Sequence, residues 1–245
     1  MSRSRALGAA ALAALAFGVP SAGAQVTPGS VVSFQGTANV IHTEEHDLFV
    51  QFDRAEISSR APSTGSFAPL AGSAVTGAIR DFEVVVGPQP IAGFVTLGGY
   101  TFDLFDMLPG TSTPDDCLNE QFLAGQSCTP PRHDVEGVST PFTLVNVASG
   151  DPNAPLNSIA GFDVRGMVRG PGSTTALPFI GRFEASFPGL AYQEVLFAAE
   201  ANQLRGVGFS AQFTVVSTVP EPSTYALAAT GLVALLGMAR MRRRD

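Results

Sequence analysis

His42-Thr43-Glu44-Glu45-His46 holds the most reactive set of side chains in this chain. It matches H-x-x-E-H, an inverted zinc-hydrolase motif. There, two histidines four apart hold a metal and a glutamate sits beside the attacking water. That chemistry needs a helix, because only there do residues i and i+4 share a face. The sequence on both sides alternates with period two, so the five residues are expected on a hairpin turn, as a solvated polar stretch. A secreted metal-dependent hydrolase using His42, Glu45 and His46 is the enzymatic alternative, and the same three residues across the hairpin mouth are the weak candidate for a metal.

A second oxygen-rich set comprises Asp103, Asp106, Asp115 and Asp116, with Asp151-Pro152-Asn153 further on. Calcium takes such ligands in extracellular β-proteins, but the D-x-D-x-D-G loop that would order them is missing. A calcium- or carbohydrate-binding module is therefore the other alternative. Cys117 and Cys128 lie near His133, yet no second pair of ligands follows at zinc-finger spacing. There is no G-x-S-x-G elbow for a serine hydrolase, and nothing selects a pair of carboxylates for glycoside hydrolysis. Gly98-Gly99 lacks the strand-loop-helix G-x-G-x-x-G of a nucleotide site. The sequence thus assigns no catalytic residue, no metal and no cofactor, and a non-enzyme is expected.

The elements that would position these residues are mostly strands. Short alternating runs, separated by Gly, Pro, Asn and Asp, point to a mainly β, β-sandwich-like body. Strands are expected over 31–41, 48–57, 74–86, 91–97, 100–105, 140–147, 159–168, 179–187 and 207–216. The first two should form a hairpin. In the last, Val207, Phe209, Ala211, Phe213 and Val215 fall on one face. One segment departs from period two: Tyr192, Val195, Leu196 and Ala199 recur at helical spacing, predicting one short α-helix from about Leu190 to Leu204 with Gly206 as a possible cap. Its apolar stripe belongs to the core.

The ends of the chain carry addresses. Arg3 and Arg5 precede the apolar run Ala6–Val19, and Ala22-Gly23-Ala24 suits cleavage before Gln25. Residues 1–24 therefore form an N-terminal signal peptide, read by the Sec translocon and signal peptidase. In an exported chain with two cysteines, Cys117 and Cys128 are expected to pair. Closing that loop stabilises the fold by about 3 kcal/mol on the chain-entropy account. At the other end, Val219-Pro220-Glu221-Pro222-Ser223-Thr224 precedes an uncharged apolar run, Tyr225–Ala239, and then Arg240, Arg242, Arg243 and Arg244. The run makes a helix of roughly 22 Å, short for a hydrocarbon core of about 30 Å. Snorkelling arginines extend it, and the positive-inside rule keeps them cytoplasmic.

This three-part ending resembles the PEP-CTERM sorting signal of Gram-negative envelope proteins. The segment Phe142–Val216 is also similar to the β-rich body of many such proteins, through Ser158-Ile159-Ala160-Gly161-Phe162, Gly166, Phe179-Ile180-Gly181-Arg182-Phe183 and Gly208-Phe209-Ser210-Ala211-Gln212-Phe213. The resemblance implies three parts: a signal peptide (1–24), a β-rich extracytoplasmic domain (25–218) and a sorting signal (219–245) with a C-terminal transmembrane helix. It further implies an exosortase as processing partner, residence in the inner membrane before processing, and then the cell surface or an extracellular polysaccharide matrix, in a structural or adhesive role.

Charge limits the partners. The chain has 14 basic and 21 acidic residues, net −7, and no lysine. Six of the arginines lie in the two terminal signals, which leaves the body with eight basic and nineteen acidic side chains, about −11. Such a body repels phosphates, so nucleic acid is not an expected partner.

Overall fold

The computed structural model describes residues 25–42, 49–52, 56–59, 62–71, 75–113, 115–131, 139–151 and 154–217. Within them, apolar alternation becomes strand after strand: β1 (Val31–Ile41), β2 (Phe49–Phe52), β3 (Glu56–Ser59), β4 (Val75–Ile79), β5 (Phe82–Glu83), β6 (Gly87–Leu97) and β7 (Tyr100–Met107). Then follow β8 (Ser127–Cys128), β9 (Thr143–Asp151), β10 (Ala154–Arg169), β11 (Ala176–Phe187), the single α-helix α1 (Tyr192–Glu200) and β12 (Val207–Val215). The fold is mainly β, as expected.

These twelve strands belong to one antiparallel sheet: ten follow the order β11-β12-β1-β3-β4-β6-β7-β10-β9-β8, and β2 and β5 branch from it beside β1. β10 also pairs with β11 from Ser158↔Phe187 to Arg169↔Ala176, so the sheet curls back on itself. Eight strands close the ring, and its opposite walls supply the two layers of a sandwich-like body. An eight-stranded ring leaves an interior just wide enough for side chains to fill.

Phenylalanine fills it. Phe34, Phe67, Phe94, Phe102, Phe179 and Phe213 are essentially inaccessible to solvent. Phe179 stacks on Phe213 with centroids 4.7 Å apart, and Phe34 meets Phe213 edge-on at 5.0 Å. Each such ring stabilises the fold by roughly 1.5–3 kcal/mol through burial, with about 0.5–1.5 kcal/mol more per well-oriented pair. Rings this large need neighbours without side chains. A Cβ on Gly181 would overlap the Phe213 ring, and one on Gly166 would overlap the Asp103 carbonyl and the Phe179 ring. Gly166 lies where the β10–β7 register shifts, so the bulge and the missing side chain coincide.

The ring flares at one end, called here the helix pole. β10 pairs with β7 along Val164–Arg169 but with β9 along Ala154–Gly161. β1 likewise faces β3 at Gln35↔Ser58 and β2 along Ala38–Ile41. These forks explain two departures from the expected strands. The run at 48–57 divides into β2 and β3, because β2 joins the flare beside β5 while β3 joins the ring beside β4. The run at 74–86 divides into β4 and β5 for the same reason. β1 runs over Val31–Ile41, the bounds its alternation suggests, and β12 buries Phe209, Ala211, Phe213 and Val215. At the opposite pole Gly98 and Gly99, with φ of 57° and 84°, form the two-residue turn joining β6 to β7. That is the left-handed pair a type I′ hairpin requires.

Candidate functional site

The residues singled out for chemistry are dispersed. His42 follows the last residue of β1, and Asn202 holds its backbone: His42 N–H donates to Asn202 Oδ1 at 2.7 Å, and Asn202 Nδ2 donates to the His42 carbonyl at 3.0 Å. Glu44, Glu45 and His46 lie outside the described residues, as do His133, Pro152 and Asn153. Of the clustered aspartates, Asp103 and Asp106 are each taken up by an arginine. Asp103 accepts hydrogen bonds from Arg169 at 2.7 Å and from the Gly93 N–H at 2.7 Å. Asp106 pairs with Arg165 across the β7–β10 ladder. Asp115 opens a short 3-10 turn, Asp115–Leu118, and its side chain and that of Asp116 are outside the described set. Asp151 ends β9, its N–H donating to Ser149 Oγ at 2.9 Å. A third ion pair joins Arg182 to Glu184 at 2.7 Å and to Asp163 at 3.2 Å. The Glu184 carboxylate, and then Asp163, hold the Arg182 guanidinium above its ordinary pKa against the opposing effect of burial. Among the described residues no three His, Cys, Asp or Glu side chains gather as a metal would require.

What the chain does build is the helix pole. α1 lies across the flare, with Tyr192, Val195 and Ala199 buried beneath it. Its termini leave backbone groups unpaired, and side chains from the sheet supply partners. Asn146, fully buried on β9, accepts the Tyr192 N–H at 2.7 Å, and Glu194 reaches back to the Ala191 N–H at 2.8 Å. At the far end the helix stops earlier than the expected Leu204. Asn202 takes the left-handed conformation, φ 55°, while its side chain clamps β1. Asn tolerates that region because its short polar side chain bonds locally. Gly206, φ 60°, turns the chain into β12 instead of capping the helix.

The cysteine loop packs beside the helix. Cys117 and Cys128 form a disulfide with Cα atoms 5.0 Å apart, and Gln193 Nε2 of α1 donates to the Asn119 carbonyl in the loop at 3.2 Å. Cys128 is buried with Leu144 and Tyr192, whereas Leu118, Phe122 and Leu123 are turned to solvent at 83, 50 and 55% exposure.

Under α1 lies an apolar cavity of about 90 Å³. Phe162 and Phe183, stacked at 4.7 Å and nearly parallel, line it on the barrel side. Ala38, Ala160, Ala185 and Ala199 open it from β1, β10, β11 and α1. Glu184 is the one charged residue on its lining.

The chain leaves the body at the other pole. β12 carries it about 30 Å away from the helix. Val215 N–H there donates to the Ser30 carbonyl, and Val216 N–H to Pro178. Gln25, the first described residue, sits at the same pole, where Ser66 Oγ donates to its carbonyl at 3.3 Å. Beyond Ser217, residues 218–244 match the family described as PEP-CTERM protein-sorting motif. The tail is a PEP-CTERM sorting signal. It implies an exported protein processed by an exosortase. No curated protein and no solved structure matches the chain.

The PEP-CTERM tail itself, from Val219 through Arg244, lies outside the described residues, as do Ala24 and the rest of the N-terminal signal. Among the described residues no helix is long and apolar enough to cross a membrane. The body therefore meets its PEP-CTERM tail at one pole and carries α1, the disulfide loop and the cavity at the other. Sequence reasoning missed Asn146, Asn202 and the cavity the four alanines share, although it placed Ala199 in the core stripe of the helix. Only the asparagines left a trace, as polar residues breaking otherwise apolar neighbourhoods.

Proposed function

We propose that this protein is a non-catalytic surface component whose helix pole adheres to neighbouring extracellular matrix, with polysaccharide as the matrix chemistry. Sec export and signal peptidase deliver it, the C-terminal helix holds it in the inner membrane, and exosortase processing passes it to the surface. The observation that carries this reading is the exit of the PEP-CTERM tail opposite α1 and the disulfide loop. A body tethered there presents Leu118, Phe122, Leu123 and Phe197 away from the membrane, and exposed apolar side chains gathered at one end mark interaction surfaces. The pairing of Asp103 with Arg169 and of Asp106 with Arg165 favours this reading over a calcium-binding module, since it commits those carboxylates to holding strands together.

Mass spectrometry of the native protein from envelope and medium tests the sorting. The expected product begins at Gln25 and ends near Pro220-Glu221-Pro222 without the arginines. An intact chain to Asp245 held in the membrane refutes exosortase processing. For adhesion, Phe122→Ser should leave less of the processed body bound to the matrix than the native chain. Equal retention of both would remove the helix pole from the proposal.

A further inference from the structure

The cavity under α1 has the marks of a site the sequence keeps open. Protein interiors are packed as tightly as organic crystals, with few voids larger than a water molecule. The rest of this barrel obeys that rule with phenylalanine. At the helix pole four separate elements instead point alanine at one space, and each would close it with a larger apolar side chain. The walls are apolar and the cavity is partly open at its lip, so water gains few hydrogen bonds against them, and a site of that character favours apolar guests. Its lining of aromatic rings and methyl groups offers close contact to methylene groups. Its single charged residue, Glu184, is exposed and paired with Arg182, so polarity is confined to the lip.

We infer that this cavity binds the end of an unbranched hydrocarbon, with about four carbons held inside, a size scaled from the roughly 150 Å³ cavity that admits six-carbon benzene. Two sources share this chemistry: a free small hydrocarbon, and the end of a fatty acyl chain whose head remains at the lip near Arg182. α1 forms one wall and is held by Asn146 and Asn202 at its ends, so a guest can enter by helix displacement without breaking the ring of strands.

The test uses the full chain in lipid nanodiscs, with hexane and decanoate as probes and thermal unfolding as readout. At a hundred times its Kd, a ligand confined to the folded state raises the Tm by about 5 to 10 °C in a chain of this size. The native protein should show that rise. Ala199→Leu should fill the space, melt at or above the native temperature without probe, and lose the shift. Because both proteins see the same lipid, partitioning of the probe cancels in the comparison. Should Ala199→Leu fail to fold, Ala160→Val fills the opposite wall with a smaller group and should halve the shift or more. A rise with hexane alone identifies a free small hydrocarbon, and a rise with decanoate as well identifies an acyl chain end. Absence of a shift with both probes, or the same shift in the native and filled proteins, overturns the inference.

Discussion

Removing the side chain of Asn146 should loosen α1 while leaving the barrel intact. Asn146 lies in the middle of β9, fully buried, and its Oδ1 accepts the Tyr192 N–H at 2.7 Å. Tyr192 is equally inaccessible, so that N–H has no access to water. In Asn146→Ala the helix loses an N-terminal partner, worth about 0.5–2 kcal/mol, and a buried donor is stranded, a cost of about 1–3 kcal/mol for the same event counted from the other side. The bond from Asn146 Nδ2 to Gln193, at 3.2 Å and partly solvated, adds less. The expected loss is about 2 kcal/mol, which lowers the Tm by roughly 4–8 °C in a domain of this size. Backbone bonds from Asn146 to Gln126 and Gly125 are untouched, so β9 should keep its place. Hydrogen-exchange mass spectrometry distinguishes the outcomes. Peptides spanning 190–202 should exchange faster, while those of β1, β11 and β12 keep native protection. Asn146→Asp retains the acceptor and should recover most of the loss. An unchanged melting temperature in Asn146→Ala, or acceleration spread evenly over the barrel, would refute the view that this amide anchors the helix.

Cys117→Ser should cost about 3 kcal/mol and expose one free thiol on denaturation, and a free thiol in the native exported protein would contradict the disulfide. Gly181→Ala, which forces a methyl group against the Phe213 ring, should cost about 1–3 kcal/mol in urea unfolding; a change within error would mean that the Phe179–Phe213 stack has room to shift. The exposed Arg182–Glu184 pair should matter little, with Glu184→Gln altering stability by under about 1 kcal/mol and less still in high salt. Tyr100 gives the pH dependence. Burial raises its phenol above the ordinary 10.0, and its hydroxyl donates to the Ser66 carbonyl. Its contribution is complete below the unfolded pKa of about 10 and is lost as pH rises through the raised folded value. Alkaline melts should therefore steepen in the native protein and flatten in Tyr100→Phe.

The legible parts of the fold were those fixed by local alternation. β12 shows its buried face in the spacing of Phe209, Ala211 and Phe213, and β1 shows its ends. The helix announced itself through Tyr192, Val195 and Ala199, although its end did not, because Asn202 turns the chain before the more obvious Gly206. Period two tells which face a residue occupies and nothing about which strand lies beside it. The β10–β11 pairing that closes the ring, and the forks that divide 48–57 and 74–86, depend on partners far along the chain, as with Val164 opposite Met107. The roles of Asp103 and Asp106 were hidden for a related reason: they are neighbours in sequence, but their partners, Arg169 and Arg165, lie some sixty residues away. The PEP-CTERM tail was readable because its three parts are contiguous. The cavity was not, since an alanine facing inward gives the same local pattern whether its neighbours fill the space or leave it open.

The opposed poles also decide how the body bears load. Under the proposed adhesion at α1, with the tether at Ser217, force runs along the axis of β12, a strand flanked by β1 through eight aligned residue pairs and by β11 through seven. Antiparallel hydrogen bonds lie perpendicular to that axis, so tension shears both ladders at once instead of opening them one rung at a time. Rupture then requires many bonds to fail together, and the rate of forced unfolding, which governs survival under stress, falls accordingly. A grip near the Gly98-Gly99 turn would place tether and load at the same pole and would spare β12. The placement of a helix and a disulfide loop far from the tail thus makes the last strand of the body its tension member.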